Sequence, residues 1–172
     1  ELALLLACGL PVFAMGLLED LTKRVSPVSR LGAAAVSALL AAFVLGTVSD
    51  RTDIWGLDWV AATAPGAVIL AVFAVSGIAN AINIIDGFNG LASMCAEMIF
   101  LALAYVAFQV GDTLVFSLAL AGAGAVLGFF IWNYPAGLIF LGDGGAYFIV
   151  FLAAQVALLL LQRNPQVSPL FP

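Results

Sequence analysis

Histidine is absent from this chain of 172 residues, charged residues make up only 9% of it, and only two cysteines occur. Soluble domains contain roughly a quarter charged residues, so this low fraction excludes a soluble globular domain. Without histidine or a CxxC pair the chain has no zinc-ligand pattern. Five basic residues against ten acidic ones give no cluster of Lys and Arg, which excludes nucleic acid as a partner.

The chain consists mostly of apolar residues, which form 65% of it and give a mean hydropathy of +1.20. Several uncharged runs reach the ~20 residues needed to cross a hydrocarbon core of ~30 Å. Backbone groups in lipid must bond to one another, so each run is expected to form a helix. The pattern predicts an all-α polytopic integral membrane protein with six spans, at about 2–18, 31–48, 60–79, 92–110, 114–132 and 145–162.

Consecutive connections between spans alternate sides of the membrane, so segments 19–30, 80–91 and 133–144 are expected at the same face. Three basic residues lie at this face and two at the other, namely Lys23, Arg24 and Arg30 against Arg51 and Arg163. The side richer in Lys and Arg is normally cytoplasmic. The sequence therefore predicts a multi-pass protein of the inner (plasma) membrane with these three loops in the cytoplasm.

Acids and amides concentrate in these three loops: Glu19, Asp20, Asn80, Asn83, Asp86, Asn89, Asn133 and Asp143. Carboxylates near a bilayer are costly and usually face a polar cavity with a function. An oxygen-rich site suits Mg²⁺, which takes one or two carboxylates and bridges to substrate phosphates. Gly and Asp also form ordinary turns. Taken alone, either loop in which glycines flank an acid, 80–91 or 133–144, therefore fits a purely structural role as well as a functional one. Finding three such loops at one face favours a functional site.

Other features have simpler interpretations. Lys23, beside Arg24, either attracts an anionic lipid or substrate phosphate or only determines topology. Glu97, inside the fourth span, is expected to be an interior hydrogen-bonding residue. Gly124 and Gly128 form a GxxxG pattern that predicts close helix packing. The acids at the opposite face are expected to be solvated, namely Asp50, Asp53, Asp58 and Asp112.

Three segments resemble signature loops of the polyprenyl-phosphate N-acetylhexosamine-1-phosphate transferases, which belong to glycosyltransferase family 4. They are GLLED at 16–20, NAINIIDGFNGL at 80–91 and FLGDGG at 140–145. Their order and helix spacing agree with the family, and the NxxNxxDGxxGL loop is the most specific of them. The family includes phospho-N-acetylmuramoyl-pentapeptide transferase and the undecaprenyl-phosphate GlcNAc-1-phosphate transferases.

The resemblance implies transfer of N-acetylhexosamine-1-phosphate from a UDP-N-acetylhexosamine to undecaprenyl phosphate, with release of UMP and with Mg²⁺ or Mn²⁺ as cofactor. The product would enter cell-wall or lipopolysaccharide biosynthesis. By the same resemblance Asp143 is the metal ligand, and Asp20 is the base or orienting group with Glu19 beside it. Asp86 and Asn83 shape the catalytic centre. The substrate-binding residues are Asn80, Gly87, Phe88, Asn89, Asn133, Phe140 and Lys23.

This chain departs from the family in three ways. Many members have two aspartates where Glu19 and Asp20 stand here, and an aspartate where Asn89 stands. The family also has a histidine-rich loop that is missing from this sequence. We therefore expect residues 1–172 to be a single membrane-embedded transferase domain, incomplete at both ends. It would supply six of about ten helices and be inactive alone. The oligomeric state stays open, with a homodimer among the alternatives.

Two functions of other classes compete with the transferase. Acids within a membrane often mark the ion path of a transporter or channel, and a purely structural membrane scaffold needs no chemistry at all. Transporter sites lie near the bilayer midplane on broken helices. Here the acids, apart from Glu97, gather at span ends on one face, which favours an enzyme at the membrane surface.

Overall fold

The computed structural model describes residues 2–170, and these fold as helices and loops without a strand. The helices are α1 (Leu2–Cys8), α2 (Leu10–Thr22), α3 (Pro27–Val44), α4 (Asp58–Ala61), α5 (Ala64–Ile85), α6 (Leu91–Val110), α7 (Thr113–Asn133) and α8 (Gly142–Arg163). In this part of the chain five helices are long and apolar enough to cross a membrane, and α1 with α2 makes a sixth span if the pair is counted together. The predicted all-α polytopic membrane fold is confirmed.

Local sequence explains where the spans begin. Ser26 and Thr63 accept hydrogen bonds from the backbone of the first turns of α3 and α5, and a proline follows each of them. Such a hydroxyl cap satisfies an otherwise unpaired N–H, and proline at the first turn needs no donor. The first span is broken at Gly9, where α1 and α2 meet at 46°. Pro11 in the first turn of α2 fits this break, because it cannot continue the hydrogen bonding of α1.

Four helices extend further toward the predicted site than hydropathy indicates. The first predicted span, expected to end near residue 18, continues as α2 to Thr22, so Glu19 and Asp20 are helical. The third predicted span, expected to end near residue 79, continues as α5 to Ile85, so Asn80 and Asn83 are helical rather than part of a loop. The last span, expected from residue 145, begins at Gly142 and includes Asp143 in its first turn. The second span also differs, running from 27 to 44 rather than from 31 to 48. Hydropathy marks the apolar part of a helix, whereas the hydrogen-bonded helix continues through polar residues at the interface.

Helix α8 lies at the centre of the molecule and packs against α1, α2, α3, α5, α6 and α7. Its buried side chains include Tyr147, Phe151 and Leu160. The facing side of α3 presents alanines, which allow close approach of the backbones. Both cysteines are free, and Cys8 lies in the same apolar core. Because α8 touches so many helices, its first turn is held at a fixed place relative to the ends of α2 and α5.

The GxxxG prediction is wrong for the described residues. A Cβ added at Gly124 or Gly128 would meet nothing within 4 Å, so neither glycine mediates a close helix contact there. The tight approach occurs at Gly16, where an added Cβ would lie 2.5 Å from the Cα of Gly144. This glycine lets α2 reach the start of α8.

The opposite end of the bundle is tied together by Asp112, which was expected to be solvated and is in fact buried. Its carboxylate caps α7 through the Val115 N–H and binds Arg163 at 2.7 Å and Asn164 at 3.0 Å. Burial raises the pKa of Asp112, but the hydrogen bonds from Arg163, Val115 and Asn164 outweigh it and hold the pKa below its usual value. This acid is a structural anchor.

Candidate active site

The end of α2 is tied to the start of α8 by Asp20. Its Oδ1 accepts the backbone N–H of Asp143 and its Oδ2 accepts that of Gly144, each at 2.9 Å. A carboxylate is favourable there because a helix N-terminus presents unpaired N–H groups and a positive dipole end. Gly142 has a φ of 68°, and a Cβ on it would lie 2.7 Å from Asp20 Oδ2. Glycine is therefore required at this approach.

Asp143 joins three helices at one carboxylate. Its Oδ1 accepts a hydrogen bond of 3.0 Å from Asn83 Nδ2 on α5, and its Oδ2 pairs with the guanidinium of Arg30 on α3. The two charged side chains are only 20% and 17% exposed, respectively. The predicted catalytic residue Asn83 and the predicted metal ligand Asp143 are thus in direct contact.

Asp86 follows α5 directly and completes a group of three acids. Burial, the negative charge of Asp20 and the partly compensating N–H of Gly142 together raise the pKa of Asp86 to about 6. Asp20, Asp86 and Asp143 therefore share one electrostatic environment, as the alternation of loops predicts. The excess negative charge at this end of the bundle favours binding of a cation.

Asn133 connects the loop after α5 with the segment after α7. It is 3% exposed, accepts the Gly90 N–H at 2.5 Å and donates to the Ile139 carbonyl at 2.8 Å. Asn89 adds a bond of 3.2 Å to the Pro135 carbonyl. Both asparagines were predicted to bind substrate, and the structure places both in contacts that shape the two loops.

Phe88 and Phe140 lie on these two loops with 71% and 64% of their surfaces exposed. A Cβ at Gly87 would meet nothing within 4 Å, so the backbone beside Phe88 is open to a ligand. Exposed aromatic faces next to open backbone can stack on a planar base. Gly87, Phe88 and Phe140, three of the residues predicted to bind substrate, are therefore accessible.

The other predicted residues have identifiable contacts. Glu19 Oε2 accepts the Val25 N–H at 2.6 Å and so shapes the turn between α2 and α3. Lys23 is 71% exposed and pairs with Asp20 at 3.6 Å. Asn80 Oδ1 accepts a hydrogen bond of 3.1 Å from the hydroxyl of Tyr147. Of these three residues, only Lys23 directly contacts one of the clustered aspartates, namely Asp20.

Glu97 takes no part in this network within the described chain. Its Oε2 is buried, and no hydrogen-bond partner for it occurs among residues 2–170. The expected interior hydrogen bond is therefore not found there. Glu97 lies on α6, whereas the clustered acids lie at the ends of α2, α5 and α8.

Sequence reasoning missed two residues of the site, Arg30 and Tyr147. Arg30 was counted only as a topology charge, although it lies in the first turns of α3, next to the loop that follows Asp20. Tyr147 stands four residues after Asp143, one helical turn along the same face of α8. This spacing in the sequence could have indicated that Tyr147 lies near the site. No feature of the sequence indicated that Arg30 pairs with Asp143.

The acids fit a divalent cation that substrate helps to bind. Among residues 2–170 no three or more His, Cys, Asp or Glu side chains are arranged to hold a metal by themselves. Magnesium commonly takes only one or two carboxylates, together with water and substrate phosphate oxygens. The donors here are oxygens, and burial first and the negative charge of Asp20 second raise the pKa of Asp86 to about 6. Asp143, with Asp20 and Asp86 nearby, could hold such an ion.

An apolar groove of about 640 Å³ runs between α3 and α5 toward this site. Its walls include Leu39, Val68 and Phe73, and at the site end it is bounded by Leu31 and Asn80. Asn80 bonds to Tyr147 and Leu31 follows Arg30, so the groove ends beside the charged residues. The site thus combines a polar end with an apolar channel.

Comparison with known proteins agrees with the motifs. The model of the family described as glycosyl transferase family 4 matches residues 2–161. The chain is 31% identical over 159 residues to a probable undecaprenyl-phosphate N-acetylglucosaminyl 1-phosphate transferase of Bacillus subtilis (strain 168), covering 89% of this chain and 42% of that protein.

A phospho-N-acetylmuramoyl-pentapeptide-transferase of Streptococcus thermophilus (strain CNRZ 1066) is 31% identical over 93 residues, which is 54% of this chain and 27% of that protein. The same enzyme of Streptococcus pneumoniae (strain CGSP14) is 33% identical over 96 residues, covering 56% and 29%. The chain thus matches less than half the length of each of these relatives. Because the family model covers nearly all of the chain, this protein belongs to glycosyl transferase family 4.

Proposed function

We propose that this protein transfers N-acetylhexosamine-1-phosphate from a UDP-N-acetylhexosamine to undecaprenyl phosphate, releasing UMP, in cell-wall or lipopolysaccharide biosynthesis. The observation that supports this most strongly is the meeting of Asp20, Asp86 and Asp143 at one end of the bundle, beside an apolar groove. A reaction between a water-soluble nucleotide sugar and a lipid phosphate needs both features. The family and the names of the relatives agree with this class of reaction.

The proposed roles follow from the contacts. Asp143 would hold Mg²⁺ or Mn²⁺, and the ion would supply charge neutralisation at the donor diphosphate. Asp20 is already bonded to two backbone N–H groups, so it orients the start of α8. Asp86, with a pKa of about 6, is suited to accept a proton from the acceptor phosphate near neutral pH. Phosphoryl transfer of this kind depends mainly on positioning and charge stabilisation.

The substrates occupy separate regions in this proposal. The uracil ring of the donor stacks against Phe88 and Phe140, beside the open backbone of Gly87. The polyprenyl chain of the acceptor lies in the groove between α3 and α5, with its phosphate at the end formed by Leu31 and Asn80. The acceptor oxygen then attacks the phosphorus that bears the sugar, and UMP leaves.

We further propose that the site faces the cytoplasm from the inner (plasma) membrane, since nucleotide sugars are made there and Lys23, Arg24 and Arg30 lie at this end. We infer that residues 1–172 form part of a longer membrane-embedded transferase domain, because each of the reported relatives extends well beyond its match to this chain. Assembly as a homodimer remains a prediction.

The proposal is tested with the full-length gene product in detergent with undecaprenyl phosphate. UMP release is measured from UDP-GlcNAc, UDP-GalNAc and UDP-MurNAc-pentapeptide, with and without Mg²⁺. Asp143→Asn is expected to abolish release, whereas the matched control Asp50→Asn, at an exposed position of the opposite end, is expected to retain it. Absence of release from every donor by folded protein would refute the transferase and favour a transporter or scaffold.

A further inference from the structure

Arg30 is an unusual residue for the start of a membrane helix. Its side chain is only 17% exposed, and its guanidinium pairs with Asp143. Its Nε is buried and has no hydrogen-bond partner among the described residues. Removing a guanidinium from water is costly, and pairing alone often fails to repay that cost. A buried arginine with a spare donor at a reaction site therefore suggests a ligand.

The position of Arg30 indicates which ligand this is. The next residue, Leu31, and Asn80 bound the groove between α3 and α5 at its site end. Asn80 accepts a hydrogen bond from Tyr147, which stands one helical turn after Asp143 on α8. Arg30 pairs with Asp143, and the residue after it lines the site end of the groove.

Lys23 provides a contrast within the same site. It is 71% exposed and pairs with Asp20 at 3.6 Å, so water solvates it in the free protein. An exposed pair of this kind contributes little energy, because water screens both charges. Arg30 is more enclosed, and its planar fork of donors matches two phosphate oxygens at once.

We propose that Arg30 binds the phosphate of the lipid acceptor, and that Asp143 is its counter-ion while no substrate is bound. This inference rests on the proposed function and adds a residue to it. If Asp143 bound a divalent cation, Arg30 would lose its carboxylate partner. Its guanidinium would then be available to the phosphate at the site end of the groove.

The test measures binding rather than turnover, using the full-length protein in detergent without nucleotide. The ligands are undecaprenyl phosphate, undecaprenol as its uncharged analogue, and UMP. The variants are Arg30→Gln, Arg30→Lys and the control Arg51→Gln, which removes a basic residue at the opposite end of the bundle. Arg30→Gln is expected to weaken undecaprenyl phosphate binding by ~10-fold or more, since bonds to charged groups are worth that much. Its affinity for undecaprenol and UMP should stay within about 2-fold, as expected without the charged contact.

Two further results are expected. Arg30→Lys should bind the lipid phosphate at an intermediate affinity, because it keeps the charge but loses the fork. Binding of Mn²⁺, followed by electron paramagnetic resonance, should be no weaker in Arg30→Gln than in the parent, because Asp143 has lost a competing cation. Arg51→Gln should match the parent in both measurements.

Several outcomes would overturn the inference. One is that Arg30→Gln binds undecaprenyl phosphate as tightly as the parent does. Another is that the variant loses as much affinity for undecaprenol as for undecaprenyl phosphate. A third is that it loses affinity for UMP alone, which would place Arg30 at the donor. Failure of the proposed function looks different, since the parent protein would then release no UMP from any donor. A parent that releases UMP, with an Arg30→Gln variant that binds the lipid phosphate normally, refutes only the role of Arg30.

Discussion

Replacing Asn133 with alanine tests whether this residue organises the site or contacts the nucleotide. Its side chain is 3% exposed and holds the Gly90 N–H at 2.5 Å and the Ile139 carbonyl at 2.8 Å. Asn133→Ala leaves both backbone groups without their partner. Each unpaired buried group costs about 1–3 kcal/mol, so for the two groups we expect the free energy of unfolding to fall by about 2–6 kcal/mol.

The assay is reversible unfolding by SDS in mixed micelles, followed by circular dichroism, together with UDP-sugar binding to the folded protein. Asn133→Asp is the informative companion, since a carboxylate still accepts from Gly90 but cannot donate to Ile139. It should fall between the parent and the alanine variant. Asn89→Ala serves as the control, because that exposed residue makes a single bond of 3.2 Å and should cost no more than about 1 kcal/mol.

The opposite pattern would refute this reasoning. If Asn133→Ala unfolds like the parent but loses affinity for the UDP-sugar, then Asn133 contacts the nucleotide directly, as the family resemblance implies. Loss of both properties in proportion, with recovery of affinity at lower temperature, would support the structural role.

Two further changes probe the approach of α2 to α8 and the shared charge. Gly16→Ala should lower both UMP release and the free energy of unfolding, because its Cβ would lie 2.5 Å from the Cα of Gly144. Gly128→Ala should match the parent in both measurements, because its Cβ would meet nothing within 4 Å. Equal behaviour of the two variants would contradict the close approach. Asp86 has a folded pKa of about 6 against an ordinary 3.8, so the folded state binds the proton more tightly. Its contribution to the free energy of unfolding should therefore fall as pH rises from about 4 to about 6 and then level off. The difference between the parent and Asp86→Asn, measured from pH 4 to 8 without divalent cations, should show this decline, and a flat difference would exclude it.

The amino-acid sequence alone was enough to predict the membrane fold and the end of the bundle where the candidate site lies. Long uncharged runs must become helices in lipid, and each span reverses the side of the next connection. These two constraints were enough to predict that Asp20, Asp86 and Asp143 meet at one face, and the observed contacts agree. Alternation is a property of chain order, so it needs no knowledge of packing.

The tertiary structure alone decided which side chains touch. Spacing along the chain fixes the side and depth of a residue, but the rotation of each helix about its axis depends on how all helices pack together. Sequence reasoning therefore treated Arg30 as a topology charge and Asn133 as a substrate contact. In the folded chain Arg30 pairs with Asp143, and Asn133 joins two loops through buried backbone groups. Arg30 and Asp143 lie far apart in the sequence, as do Gly90 and Asn133, and only the packing of α3 against α8 and of α6 against α7 brings these pairs together.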